Sequence, residues 1–303
     1  MAETTQSLLR RAMPKVADGN LKLRLKVLAA GFVHRRALTA MAQTTSPALR
    51  QIAQLRPEVL VGPLVWPYLC AAWDAPVRLK QLQEHYQILD RLGAPFPFSP
   101  EEKLVLANLD ETYPGLRIVL DQPRWFIREG GLTLNLFVED FRAYSLAFSF
   151  GERADGQGID CYIGALQGRN DDEAANLYRD LTKAAHGLRP RDLLIEICRM
   201  ICQHYGVVAL YGVRDSERHH RHPFFKNKKI APQDYDAIWE DRGGELTSRH
   251  FYLLPVVADR RDIGEIKPNK KSLYRRRYRF LDDLEAQIRQ DMFHAKPQRF
   301  RDR

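Results

Sequence analysis

The stretch RDSERHHRHPFFKNKK, Arg214 to Lys229, gathers three histidines, three arginines, three lysines and two adjacent phenylalanines. Such residues could ligate zinc, clamp a nucleic acid or face an anionic substrate. Zinc is poorly served. On a helix only His219 and His222 would share a face, no H-E-x-x-H or cysteine pair lies near, and Arg218, Arg221 and Lys226 would repel a divalent ion. No metal is therefore expected. Two phenylalanines among cations could stack bases, but no RNP or zinc-finger pattern accompanies them, so nucleic acid lacks support. The remaining readings are a solvated loop and a cationic rim to an anion pocket. In the second, His219 would face substrate and His222 could serve as a general base, since imidazole titrates near pH 6.5.

Two helix starts break an electrostatic rule. A helix N-terminus is partially positive, so a cation there costs about 0.3–1 kcal/mol. Yet Arg189 and Arg191 flank Pro190 just after Gly187, and Lys270, Lys271, Arg275, Arg276 and Arg277 crowd the start of the last helix. A bound phosphate or carboxylate would remove the conflict, because free N–H groups, dipole and guanidinium would all attract it. The plainer reading is solvated arginines beside Asp192, and beside Asp282 and Asp283. Tyr235 and Asp236 open a further short helix and could act as general acid and base. Tyr235 could equally be core, in line with Ile238 and Trp239. The chain has no G-x-x-x-x-G-K-[ST], G-x-G-x-x-G or G-x-S-x-G. Nucleotide hydrolysis, classical dinucleotide binding and the nucleophile-elbow hydrolases thus have no support.

The elements that must position these residues follow from periodicity. Residues 1–93 read as mostly helical. APVRLKQLQEHYQILDRLG is the clearest case, with Leu79, Leu82, Tyr86 and Leu89 on one stripe and Gly93 as its stop. LKLRLKVLAAGFVHRRALTAMA is ambiguous. Leu21, Leu25, Leu28 and Phe32 follow helical spacing, while Leu21, Leu23, Leu25 and Val27 alternate like a strand. Its five lysines and arginines, with His34, suit either an ordinary surface helix or a basic amphipathic helix at a membrane surface. APFPFSP (94–100) reads as a linker. LRIVLD, RWFIREGG, LTLNLFVED, AYSLAFSFGE and DCYIGALQG predict an antiparallel meander over about 104–168. A helix over 170–186 follows, with Asn170 and Glu173 at capping-box spacing, then a second from Pro190 to Tyr205. VVALYGV and HFYLLPVV read as strands. SLYRRRYRFLDDLEAQIRQDM reads as a helix with Tyr274, Tyr278, Leu281, Leu284, Ile288 and Met292 inward. The class is α+β: a helical front (1–93), the Pro-rich linker (94–100), and a mixed, largely antiparallel sheet with helices (101–303).

Composition adds a partner class. The 303 residues carry a net charge of +9, concentrated at the ends. Residues 1–60 hold ten lysines and arginines against three acids, and residues 256–303 hold fourteen against eight. Two basic ends suit a phosphate-bearing ligand or acidic lipid, and equally a solubilising surface. Four cysteines form no disulfide framework at this length, and a reducing compartment fits. The longest uncharged run, Val59 to Trp73, is too short and proline-broken to span a membrane. No apolar secretory segment is visible near residue 1. A cytoplasmic protein, peripheral at most to the inner membrane, is expected.

YIGALQG, LTKAAHGLRPRDLL, YDAIWEDRGG, FYLLP and IKPNKKSLYRRRYRFLDDL, in that order, resemble the VirK/YbjX family of bacterial proteins. The resemblance covers roughly residues 35–293 and is carried by the combination of motifs rather than by any one. It implies a link to virulence and to envelope traits, including resistance to cationic antimicrobial peptides. It supplies no catalytic residues. By analogy alone, the order of elements is similar to that of GNAT-type acyltransferases, which hold the pyrophosphate of an acyl carrier at a helix start. Their R/Q-x-x-G-x-G/A loop is absent, and the helix over 170–186 intervenes. Two functions follow. One is acyl transfer to an envelope component from acyl-CoA or acyl carrier protein, with Arg189 and Arg191 on donor phosphate. The other is a non-catalytic factor that binds acidic lipid or a protein partner through its basic ends.

Overall fold

The computed structural model describes residues 4–96, 98–226, 233–292 and 294–300, so the Asn227–Lys229 end of the histidine-rich stretch lies outside the described residues. Six helices come first: α1 (Thr5–Ala17), α2 (Leu21–Val33), α3 (Arg35–Ala42), α4 (Pro47–Leu55), α5 (Pro57–Val61) and α6 (Ala75–Leu92). Their starts are written in the sequence. Thr4, Asn20, Ser46 and Asp74 each accept a backbone N–H three residues on, which satisfies a donor the helix cannot. Asn20 also settles the ambiguous segment as a helix. Leu79, Leu82, Tyr86 and Leu89 of α6 are buried, and Gly93 follows with φ +73°.

The sheet begins with β1 (Lys103–Asn108), β2 (Leu116–Asp121), β3 (Leu132–Val138), β4 (Phe141–Glu152) and β5 (Ile159–Gly168), an antiparallel meander. α7 (Asp172–Ala184) and α8 (Pro190–His204) then carry the chain over to β6 (Val207–Val213), which pairs parallel with β5. A parallel pair needs such a crossover. α9 (Tyr235–Asp241), β7 (Glu245–Leu246), β8 (Phe251–Leu254) and α10 (Pro268–Met292) complete the fold. The order across the sheet is β1-β2-β3-β4-β5-β6-β8-β7. This is the expected α+β class with a mixed, largely antiparallel sheet.

Three local expectations differ. RWFIREGG is a turn rather than a strand: Glu129 and Gly130 both donate to the Phe126 carbonyl, and the Arg128 guanidinium lies 4.5 Å over the Trp66 ring. The first strand is instead β1. The α7 cap is Asp171, whose carboxylate accepts from Ala174 N–H, one residue past Asn170. Within APFPFSP, Phe96 and Phe98 are buried, with Phe96 against Phe150 and Tyr205. One continuous apolar core thus runs from α1 through the sheet to α10. No helix among the described residues is long and apolar enough to cross a membrane.

Candidate functional site

β5 and β6 pair only as far as Ile163 opposite Gly212, and β5 then continues alone on that side to Gly168. The exposed backbone edge needs partners. Tyr235 supplies them: Leu166 N–H donates to its hydroxyl at 2.7 Å, and the hydroxyl donates to the Leu166 carbonyl at 3.1 Å. Asp234 caps α9 and places Tyr235 at its first turn. The tyrosine is fully buried, and the Arg218 guanidinium stacks 3.9 Å from its ring centroid. Burial drives its pKa well above the ordinary tyrosine range. Tyr235 therefore walls the gap between the strands, with its one hydroxyl committed to β5.

A cleft of about 470 Å³ opens at the start of α8. Its sequence causes are visible. His186 (φ +53°) and Gly187 (φ +83°) reverse the chain after α7, and the Gly187 N–H closes on the Thr182 carbonyl at 2.7 Å. Pro190 then occupies the first turn of α8, which has no side-chain cap, whereas α7 and α9 have Asp171 and Asp234. The first N–H groups of α8 lack intrahelical partners. Four cations line this cleft: Arg179 and Lys183 from one face of α7, and Arg189 and Arg191 from α8 and its cap. Arg191 is partly neutralised, lying 3.3 Å from Asp192 and 4.0 Å from Asp241. Arg189 is exposed and has no ion-pair partner among the described residues.

Tyr144 and Tyr178 form the aromatic wall, edge to face at 5.5 Å. Beyond Tyr144 a second hollow of about 280 Å³ is lined by Trp125, Phe126, Arg142 and Gln167. Trp125 is 76% exposed, a large aromatic with open space before it. Tyr144 lines both hollows, and its hydroxyl accepts from Gln233 Nε2 at 3.3 Å. Burial raises the Tyr144 pKa, opposed by the Gln233 hydrogen bond and Arg191. The arrangement offers positive charge for an anionic head and an apolar wall for the part attached to it.

Arg189 and Arg191 both line the cleft, while Gly187 forms the turn before them and is not part of its lining. The second basic helix start approaches the same turn: Arg277 Nε donates to the His186 carbonyl at 3.0 Å. Burial, then Arg276 and Arg277, depress the His186 pKa. Arg275 and Arg276 are themselves exposed on α10, outside the lining of the cleft. The remaining expected residues lie elsewhere. Asp236 accepts from Arg214 Nε at 3.3 Å and Asp215 N–H at 2.7 Å. His222 takes the Phe224 N–H on Nδ1 at 3.0 Å and lies 3.3 Å from Arg78 through Nε2. Its pKa is depressed by burial and by Arg78. His219 sits 3.3 Å from Glu129, and burial lowers its pKa to about 3. The same burial pushes the Glu129 carboxyl up to about 7, against the pull of Arg128.

Tyr144, Trp125, Arg179, Lys183 and Glu129 were not singled out in the sequence. Arg179 and Lys183, four apart on a predicted helix, carried a legible signal; the others depend on strand pairing and a turn. Among the described residues two groups bring three candidate metal ligands within 4.8 Å of one another: Cys70 with Glu217 and His250, and the buried Cys161, Cys198 and Cys202. Neither includes His219, His220 or His222.

A family model described as a protein of unknown function, DUF535, matches residues 18–290. An uncharacterised protein of Haemophilus influenzae is 27% identical over 73% of this chain and 76% of its own length. Uncharacterised protein YbjX of Escherichia coli K12 is 30% identical over 73% of this chain and 68% of its own. No solved structure matches. On the extent of these matches, and in keeping with the motifs that first suggested it, the chain belongs to the DUF535 family, that of the VirK/YbjX proteins.

Proposed function

We propose that the protein is an acyl-transferring enzyme of GNAT-like architecture that acts on an envelope component. The observation that carries this reading is the position of the cationic cleft. It lies at the start of α8, the second of the two helices that join the parallel strands, and its wall residue Tyr144 pairs with Gly168 at the far end of β5. GNAT-type folds hold a donor pyrophosphate at the corresponding helix start, where free N–H groups and the helix dipole favour an anion. Arg189 and Arg191 bind donor phosphate, Gly187 turns the chain ahead of them, and Arg179 and Lys183 add charge. An acceptor amine attacks the acyl carbonyl; a C–N bond forms, the C–S bond to the carrier breaks, and the proton lost from the amine nitrogen is balanced by the one the departing thiolate takes up.

Tyr144, which lines both hollows, is better placed to supply that proton than Tyr235, which is bound to Leu166. Asp236 and His222, expected as bases, hold neighbouring loop groups. The donor is acyl-CoA or acyl carrier protein. The missing R/Q-x-x-G-x-G/A loop and the intervening α7 favour the carrier protein, whose acidic surface suits four cations. Four free cysteines fit a cytoplasmic setting, and a role in virulence or in resistance to cationic peptides would follow from an altered envelope.

Calorimetric titration with acyl-CoA and with acyl–acyl carrier protein tests the reading. One of them should bind, more weakly at high salt, and Arg189→Ala with Arg191→Ala should weaken it about tenfold or more. Absence of binding by both donors would refute acyl transfer and leave the non-catalytic alternative.

A further inference from the structure

We propose that α2 docks the protein on an anionic lipid surface, with Leu21, Leu25, Leu28 and Phe32 as its inserted face. Spaced at i, i+4, i+7 and i+11, these four side chains fall within an arc of about 60° on the helix. They are 50–70% exposed, and Val33 at the helix end is 71% exposed. Large apolar side chains in such a row mark a surface that something covers. The opposite face fixes the orientation of the helix. Val27 and Gly31 are buried, and Gly31 lies so close to α1 that a Cβ there would sit 3.1 Å from Leu9. α2 cannot roll its leucines inward without losing that contact.

The charge around the row identifies the occupant. Lys22, Arg24, Lys26, Arg35 and Arg36 are all exposed, and none is ion-paired among the described residues. Arg35 lies 5.1 Å over the Phe32 ring. No acidic residue occurs between Asp18 and Glu58. A second copy of this chain would bring like charges together, which disfavours self-association through this face. An apolar row flanked by unpaired cations instead matches the boundary between acyl chains and anionic headgroups. Thirteen residues span roughly 20 Å, so the helix lies in the interface and does not cross it.

This inference stands apart from the acyl-transfer reading, and the two can fail separately. The full-length protein is sedimented at low salt with vesicles of equal parts phosphatidylglycerol and phosphatidylcholine, and with phosphatidylcholine alone. Binding should be about tenfold or more stronger to the anionic vesicles and should fall with salt. The Leu25→Ser, Phe32→Ser double variant should lose about tenfold in affinity at a nearly unchanged melting temperature, as these side chains are mostly exposed. Lys22→Glu with Lys26→Glu should lose a similar factor. The proposal is overturned if the wild type ignores anionic vesicles or the double serine variant sediments as the wild type does. It is equally overturned if sedimentation velocity without lipid shows a dimer that the serine variant dissolves, because a second copy would then cover the face.

Discussion

α2 and α10 look alike as sequences and end in opposite environments. Each carries a crowd of cations and an apolar row at helical spacing. In α10 the row Leu281, Leu284, Ile288 and Met292 is buried against the core. In α2 the row Leu21, Leu25, Leu28 and Phe32 faces solvent, and the helix is held by Val27 and Gly31. The cations differ too. Arg277 is tied to the His186 carbonyl and Arg260 pairs with Asp282 beside α10, whereas Lys22, Arg24, Lys26, Arg35 and Arg36 have no ion-pair partner among the described residues. A hydrophobic period identifies a face; it does not say whether the protein itself covers that face. Here one face closes the fold and the other stays open to solvent, and the cleft at α8 shares the open character of the second.

That contrast can be broken by substitution. Ile288→Ala should cost about 2–4 kcal/mol in urea unfolding, from lost burial and the cavity left behind. A change below 1 kcal/mol would mean that the α10 face is not closed. Tyr235→Phe should cost about 1–3 kcal/mol, because the N–H and carbonyl of Leu166 lose their shared partner inside the core. Binding at the cleft should then be disturbed indirectly, through the strand gap, and not through lost charge.

Glu129 sharpens the closed side by pH. Its folded pKa of about 7 lies above the ordinary carboxylate value, so between roughly pH 4.5 and 7 the folded state holds more protons than the unfolded state. The favourable contribution is complete below the unfolded value and is lost as pH rises through the folded one. His219 and His220, held down near 3 and 4 by burial, act in the opposite sense on acidification below their unfolded value. The difference between wild type and Glu129→Gln isolates the carboxyl. The variant should gain in relative stability across pH 4.5–7, measured by urea midpoints, and a flat difference would contradict the burial. At the small end, Phe32→Ser should change stability by no more than about 0.5 kcal/mol. A larger loss would show that α2 is covered from within.

Much of the fold was legible because it rests on local rules. Capping residues set most of the helix starts, Gly93 and Gly187 mark reversals, and the strands over 116–121, 132–138, 141–152 and 159–168 follow their apolar runs. RWFIREGG misled because Trp125 and Phe126 have strand propensity, while the neighbouring chain is bent by backbone donations to the Phe126 carbonyl. The site was half legible. Arg189, Arg191 and Gly187 stood out by breaking the dipole rule within a few residues. Tyr144 did not, because its place in the cleft depends on β4 pairing with β5 and on α7 folding back. The histidine-rich stretch was conspicuous for composition alone. Its partners, Arg78 and Glu129, come from distant segments, and burial leaves His219 neutral rather than poised near pH 6.5.

The central claim, that the start of α8 holds the phosphate end of an acyl donor, is tested most directly by amide hydrogen exchange over residues 186–193. The measurement is made with and without saturating acyl-CoA or acyl–acyl carrier protein. The N–H groups of Arg191 and Asp192, which the uncapped helix leaves open, should exchange more slowly when the donor is bound, and Arg189→Ala should reduce that protection. Unchanged exchange at these amides under a donor that binds elsewhere would contradict the account.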